Sequence, residues 1–166
     1  RNHQGDWRMR LLAILAAACL AAATPAAAQS VLRFVPHADL RILDTAWTTA
    51  AITRNHGYLV YEPLFSYDST NTPRPQAVET YSASADGLTW SFTLRAGQSF
   101  SDGTPITAKD AIASLERWSK RKASGQTMRA RMTAIAETGP LSFDIRLKEP
   151  FGLVLETLAD AIQPSF

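Results

Sequence analysis

The sequence predicts a mixed α/β fold with an antiparallel sheet, and three observations support this class. Apolar and polar residues alternate on either side of two turns, Asp86-Gly87 and Gly139-Pro140, which is typical of β-hairpins. Between these hairpins, the segment from Thr107 to about Lys120 repeats apolar residues at helical spacing. A chain of 166 residues with 46% hydrophobic and 19% charged residues has the size and composition of one folded domain. Helices interleaved with hairpins favour a layered α/β lobe.

The N-terminal segment has the composition of a secretory signal peptide. Residues 9–28 combine a basic start, an apolar stretch, a proline and a final run of alanines. The apolar stretch is shorter than the ~20 residues that a spanning helix needs. We therefore predict cleavage before Gln29, with residues 1–8 lying upstream of the native start. A retained membrane anchor and a lipid-modified Cys19 are the alternatives.

Cleavage would change the charge balance and remove the only cysteine. Three of the 17 basic residues and one of the 15 acidic residues precede Gln29, which leaves 14 of each sign. Without cysteine, the mature chain forms neither a disulfide nor a thiolate metal site. A neutral, exported chain that needs no disulfide predicts a location in the bacterial periplasm.

The first part of the predicted mature chain contains a helix between two short strands. Residues 31–35 and 64–67 are short and apolar, which favours strands. Residues 45–61 repeat apolar side chains every three to four positions, which predicts a helix, although Gly57 weakens it. Residues 69–76 contain two prolines and predict a surface loop.

The first hairpin joins residues 80–84 to residues 88–95. Gly87 supplies the positive φ that a tight turn requires. Apolar residues alternate with polar ones along the second strand, so one of its faces is predicted to be buried. The predicted core residues of this strand are Leu88, Trp90, Phe92 and Leu94.

The central helix is predicted to start at Thr107, after a turn at Asp102-Gly103. Asp110 follows Thr107 by three residues, which is the spacing of a capping box. Its predicted inward-facing residues are Ile112, Leu115 and Trp118. The predicted elements beyond it are a short helix at 127–134, a hairpin of 135–137 with 141–147, and a helix at 152–161.

The sequence carries no recognisable catalytic motif. The patterns G-x-S-x-G, H-E-x-x-H, the Walker loop and the dinucleotide-binding glycines do not occur. His37 and His56 are 19 positions apart, which favours structural or exposed roles over a metal site. Asp102 and Asp110 are explained by a turn and a helix cap. We therefore expect no enzymatic activity, no cofactor and no metal site.

Six basic residues are concentrated around the end of the central helix. Such a cluster could bind nucleic acid or another anion. Basic residues also complement the negative end of a helix dipole. Because the predicted export argues against nucleic acid, we interpret the cluster as a solvated helix end. Its members are Arg117, Lys120, Arg121, Lys122, Arg129 and Arg131.

Three segments together resemble a known family. They are YEPLFSYD (61–68), SADGLTWSFTLRAGQSFSDGTPITAKDAIASLERW (84–118) and LSFDIRLKEPF (141–151), of which the second is the most specific. They resemble the extracellular solute-binding proteins, family 5, of peptide, oligopeptide and nickel ABC importers. The resemblance runs from about Val31 to Phe166. It implies a fold like that of type II periplasmic-binding proteins, with residues 29–166 as a truncated first lobe and about 62–166 as a subdomain inserted into it.

The resemblance also implies binding without chemistry. The full-length protein would capture peptides or a related small solute and deliver it to an ABC permease in the inner membrane. It would act as a monomer and would not bind nucleic acid. The truncated chain would not bind solute alone.

In this family the segment ahead of YEPL approaches the ligand. The resemblance therefore implies Thr48, Thr49 and Arg54 as ligand-binding candidates, with Met128 as a further one. The competing roles are helix-start capping for the two threonines and a surface ion pair for Arg54. A metal or metallophore binder of the same fold, and an exported enzyme, are the alternative functions.

Overall fold

The computed structural model describes residues 32–160. The predicted signal peptide at 9–28, Cys19 and the predicted cleavage site before Gln29 lie outside these residues. The described residues 32–35 belong to a different unit from the one that starts at Pro36. The described residues of the first unit, 32–35, have no regular secondary structure, so the strand predicted at 31–35 is not observed in its described part.

The second unit contains both helices and strands, which confirms the mixed α/β class. In chain order they are α1 (Ala51–Val60), β1 (Phe65–Tyr67), β2 (Pro73–Pro75), β3 (Val78–Ala83), β4 (Thr89–Leu94), α2 (Ala108–Arg121), α3 (Ala123–Arg129), β5 (Met132–Gly139), β6 (Ser142–Leu147) and α4 (Val154–Leu158). Among the described residues, no helix has both the length and the apolar character to cross a membrane.

A four-stranded antiparallel sheet forms the centre of this unit, with strand order β3-β4-β6-β5. Both predicted hairpins are confirmed, and Gly87 takes the expected positive φ of 69° in the first one. Strands β1 and β2 pair as a separate antiparallel ribbon. This ribbon corrects the prediction that 69–76 is only a loop, because β2 gains a pairing partner in β1.

The core lies between one face of the sheet and helix α2. Phe92 of β4 is opposite Phe143 of β6, and their rings stack with centroids 5.3 Å apart. Leu115 and Trp118 of α2 are buried against this layer, as predicted. Ile112 is only half-buried.

The prediction that four residues of β4 and its flank are core is correct for Phe92 and Leu94. Leu88 and Trp90 are half-buried instead of fully buried, although Trp90 still packs against the core. Leu88 lies between the turn and the first residue of β4. Trp90 is paired with Ala83 of β3 on one side and with Ile145 of β6 on the other.

Helix α2 begins as predicted and ends one residue after the predicted Lys120, at Arg121. The Asp110 carboxylate accepts hydrogen bonds from the Thr107 N–H at 2.8 Å and from its hydroxyl at 2.7 Å. The next helix is placed differently: α3 ends at Arg129, whereas the prediction was 127–134. The chain from Met132 onward pairs with β6, and this pairing overrides the local helical pattern.

Candidate functional site

The predicted ligand-binding residues Thr48 and Thr49 lie in a short segment just before α1. We call residues 44–49 the threonine segment. The helix predicted from Thr45 begins only at Ala51, because Asp44 instead closes a turn. Its backbone carbonyl accepts the Trp47 N–H at 3.1 Å and its side chain accepts the Ala46 N–H at 2.9 Å. A non-helical conformation here leaves both side-chain and backbone groups of the segment available for contacts with other elements.

The first such contact joins Asp44 to Arg117 near the C-terminal end of α2. The guanidinium donates to both carboxylate oxygens: Nη1 is 3.1 Å from Oδ1, and Nη2 pairs with Oδ2. A bidentate pair fixes the orientation of both side chains as well as their separation. The start of the threonine segment is therefore tied to α2.

The second contact is between Arg121 and Trp47. The guanidinium carbon lies 4.3 Å from the centroid of the indole ring, which is the geometry of a cation–π interaction. Trp47 is 60% exposed, so the guanidinium covers one face of a ring that is otherwise largely open to solvent.

The third contact uses Lys122, which lies between α2 and α3. Its Nζ donates a hydrogen bond to the backbone carbonyl of Thr48 at 2.7 Å, and the residue is only 6% exposed. Burial lowers the pKa of this ammonium group. The negative charges of Asp44 and Asp160 act in the other direction and offset part of that shift. The interpretation of the basic cluster as a solvated helix end is therefore wrong for Lys122, and it omits the contacts of Arg117 and Arg121.

The four predicted site residues occupy different environments. Thr48 is half-buried, and its hydroxyl accepts the Ala50 N–H at 3.1 Å. Thr49 is exposed, and Arg54 is half-buried on α1 without an ion pair to any described residue. Met128 is fully buried in the core, so its side chain offers no surface to a ligand. The structure brings together the first three residues around the start of α1, and Met128 lies elsewhere.

The start of α1 is held from a second direction. The Thr53 side chain is 2% exposed, and its hydroxyl donates to the Ile42 carbonyl at 2.7 Å. Gly57 lies directly against the methyl group of Thr45, where a larger residue would clash. The threonine segment is therefore confined between α1 on one side and α2 on the other.

A groove that the sequence analysis missed lies at the opposite end of α1. It has a volume of about 640 Å³, and its walls include 58–62, 99–101 and the side of α2 at 110–114. Leu59 in this region is 83% exposed and Val60 is 59% exposed. The sequence feature that indicates this groove is the run of apolar residues from 58 to 61, because a helix end at the surface normally carries polar residues.

The described residues do not supply an obvious metal centre. No group of three or more His, Cys, Asp or Glu side chains within 32–160 is arranged to hold a metal ion. His37 is exposed ahead of the threonine segment, and His56 is half-buried on α1.

The ion pair of Asp44 predicts a pH-dependent stability. The hydrogen bond from Arg117 holds the pKa of the Asp44 carboxyl below its ordinary value of 3.8. Because the folded pKa is the lower one, this stabilisation is fully present at about pH 5 and above, and it weakens as the pH falls from there through 3.8 towards the folded pKa. Urea unfolding should show a smaller pH effect over this range in Asp44→Asn than in the unsubstituted chain. Asp39→Asn is the control, since that side chain is 88% exposed; equal slopes for all three proteins would contradict the prediction.

Comparison with known proteins identifies relatives of this chain. The family described as "Bacterial extracellular solute-binding proteins, family 5 Middle" matches residues 72–166. A probable peptide ABC transporter periplasmic-binding protein, y4tO of Sinorhizobium fredii, is 39% identical over 140 residues, which cover 84% of this chain and 26% of that protein. The chain thus spans about a quarter of the length of this relative.

Solved structures give the same result. NikA from Brucella suis, in complex with Fe(III)-EDTA, superposes with a TM-score of 0.66 at 26% identity, over 75% of this chain and 25% of that one. AgaA from A. tumefaciens R10, in complex with agropinic acid, superposes with a TM-score of 0.68 at 26% identity, over 77% of this chain and 26% of that one. The fold is that of type II periplasmic-binding proteins, and the chain belongs to the bacterial extracellular solute-binding proteins of family 5.

Proposed function

We propose that this chain is part of the solute-binding component of an ABC importer that captures peptides or related small solutes in the periplasm. The observation that carries the proposal is the 39% identity to a periplasmic-binding protein of a probable peptide transporter. In the proposed cycle, solute enters an open cleft, two lobes close around it, and a membrane permease recognises the closed form. Export through the predicted signal peptide at 9–28 would place the mature protein, starting at Gln29, in the periplasm.

Peptide capture of this kind requires hydrogen-bonding groups and no nucleophile. An extended peptide can be held through its backbone, while water fills the remaining space around its side chains. The exposed hydroxyl of Thr49 can donate and accept, and the Arg54 guanidinium can pair with a peptide carboxylate. We assign ligand contacts to these two residues and to Thr48. The rest of the cleft would come from the part of the longer protein that this chain does not include, so we expect the chain alone not to bind.

Calorimetry on the full-length protein tests the proposal. We expect micromolar binding of short peptides such as trialanine. Arg54→Ala should weaken this binding about tenfold or more, because a hydrogen bond from a charged group contributes ~1.5–3 kcal/mol. Arg41→Ala is the matched control, since the Arg41 side chain is 85% exposed.

Each outcome has a separate meaning. Unchanged affinity in Arg54→Ala would remove that residue from the site while leaving the function intact. Binding of a nickel–histidine chelate in place of peptides would favour the metal-chelate alternative, which the likeness to NikA with its bound Fe(III)-EDTA makes worth testing. Failure to bind either probe would contradict the proposed function.

A further inference from the structure

Lys122 is an unusual residue for the interior of this chain. It is 6% exposed, and its ammonium group donates to the Thr48 carbonyl without forming an ion pair to any residue within 32–160. Lysine is rarely buried to this extent unless its charge is compensated. A methionine of similar length would fill the same space without a desolvation cost. The charge of Lys122 is therefore best explained by its hydrogen bond, which holds the Thr48 carbonyl in place.

The hydrogen bond connects two parts of the chain that are 74 residues apart in sequence. Lys122 follows the last turn of α2, and the same turn provides Arg121 above the Trp47 ring. One turn earlier, Arg117 binds the Asp44 carboxylate. The threonine segment is thus attached at three points to one rigid helix end, and the third point is the backbone immediately before Thr49.

We propose that Lys122 is a positioning residue that fixes the backbone of Thr48 and Thr49 for solute binding. This inference rests on the proposed function, because it assumes that the threonine segment faces the ligand. Lys122 does not touch the ligand. It prevents the peptide unit between Thr48 and Thr49 from rotating, and so sets the direction in which the exposed Thr49 hydroxyl points. Arg117 supports the same conformation from the start of the segment.

The positioning role can be tested without any ligand. In the 166-residue chain labelled with 5-fluorotryptophan, the ¹⁹F resonance of Trp47 reports on the threonine segment, and Trp47→Phe assigns it. We expect Lys122→Met to shift or broaden the Trp47 resonance while the resonances of Trp90 and Trp118 keep their positions. Lys122→Arg, which retains a donor, should restore most of the original Trp47 signal.

Lys120→Met is the matched control. Lys120 lies on the same turn with an exposed side chain, so its replacement should leave all resonances unchanged. An unchanged Trp47 resonance in Lys122→Met would overturn the proposal. So would equal changes at Trp47, Trp90 and Trp118, because these would show that Lys122 supports the whole fold.

If Lys122→Met does not fold, Arg117→Gln at an exposed position provides the same comparison, and an unchanged Trp47 resonance there would also count against the proposal.

A second measurement separates this inference from the proposed function. Calorimetry of the full-length protein with trialanine should show about a tenfold weaker affinity for Lys122→Met and no change for Lys120→Met. A shifted Trp47 resonance with unchanged peptide affinity would overturn the link between positioning and binding. Absence of trialanine binding to the unsubstituted protein would contradict peptide capture itself, and the ¹⁹F result would still decide whether Lys122 orders the segment.

Discussion

Replacement of Trp118 by alanine should lower the free energy of unfolding by ~3–5 kcal/mol, which is the usual cost of truncating a buried tryptophan. Trp118 is 2% exposed and has the largest of the fully buried side chains within residues 32–160. Its ring lies between the sheet layer and α3, where Gly125 approaches it closely. A domain of this size is stable by only about 5–15 kcal/mol, so the loss would be a large part of the total. Urea unfolding followed by circular dichroism measures it directly.

Two other tryptophans provide controls within the same chain. Trp47 is 60% exposed, so Trp47→Ala should change the unfolding free energy by less than about 1 kcal/mol, since exposed positions contribute little. Trp90 is half-buried, so Trp90→Ala should give an intermediate loss of unfolding free energy, smaller than full burial in the core would predict. Equal losses for Trp118→Ala and Trp47→Ala would show that burial does not determine the contribution of Trp118.

The features that the sequence predicted correctly depend on residues close together in the chain. The turn at Gly87 and the capping box of Thr107 with Asp110 each involve only a few consecutive residues. Alternation along β4 and β6 also predicted which strand faces point inward. Local interactions alone determine such features, because a positive φ or a hydrogen bond across three residues needs no distant partner.

The features that the sequence did not predict depend on distant partners. The contacts of Arg117 with Asp44 and of Lys122 with Thr48 span 73 and 74 residues. No local pattern distinguishes Lys122, which is buried, from Lys120, which is exposed. Met128 is similarly hidden in the core, although the family resemblance suggested a place near the ligand. The ligand-contact roles of Thr48, Thr49 and Arg54 stay predictions until binding is measured.

Replacement of Gly125 by alanine should destabilise the protein even though it places a better helix former in α3. A methyl group there would lie 2.8 Å from the Ser119 Cα and 2.8 Å from the Trp118 carbonyl oxygen, both of which are backbone atoms. Helix propensity alone favours alanine over glycine by about 1 kcal/mol. Overpacking of a core contact costs about 1–3 kcal/mol, and backbone atoms cannot move aside as a flexible side chain can. We therefore expect the steric cost to exceed the propensity gain.

Whether Gly125→Ala raises or lowers the stability shows how closely α3 is held against α2. Gly152→Ala is the control, because no described residue other than its chain neighbours lies within 4 Å of the added methyl group, so the change acts mainly on the unfolded chain. We expect a lower urea midpoint for Gly125→Ala and an equal or slightly higher one for Gly152→Ala. A higher midpoint for both variants would mean that α3 can move away from α2 at little cost. In that case the adjacent Lys122 could not hold Thr48 rigidly, so this measurement also bears on how the threonine segment is fixed.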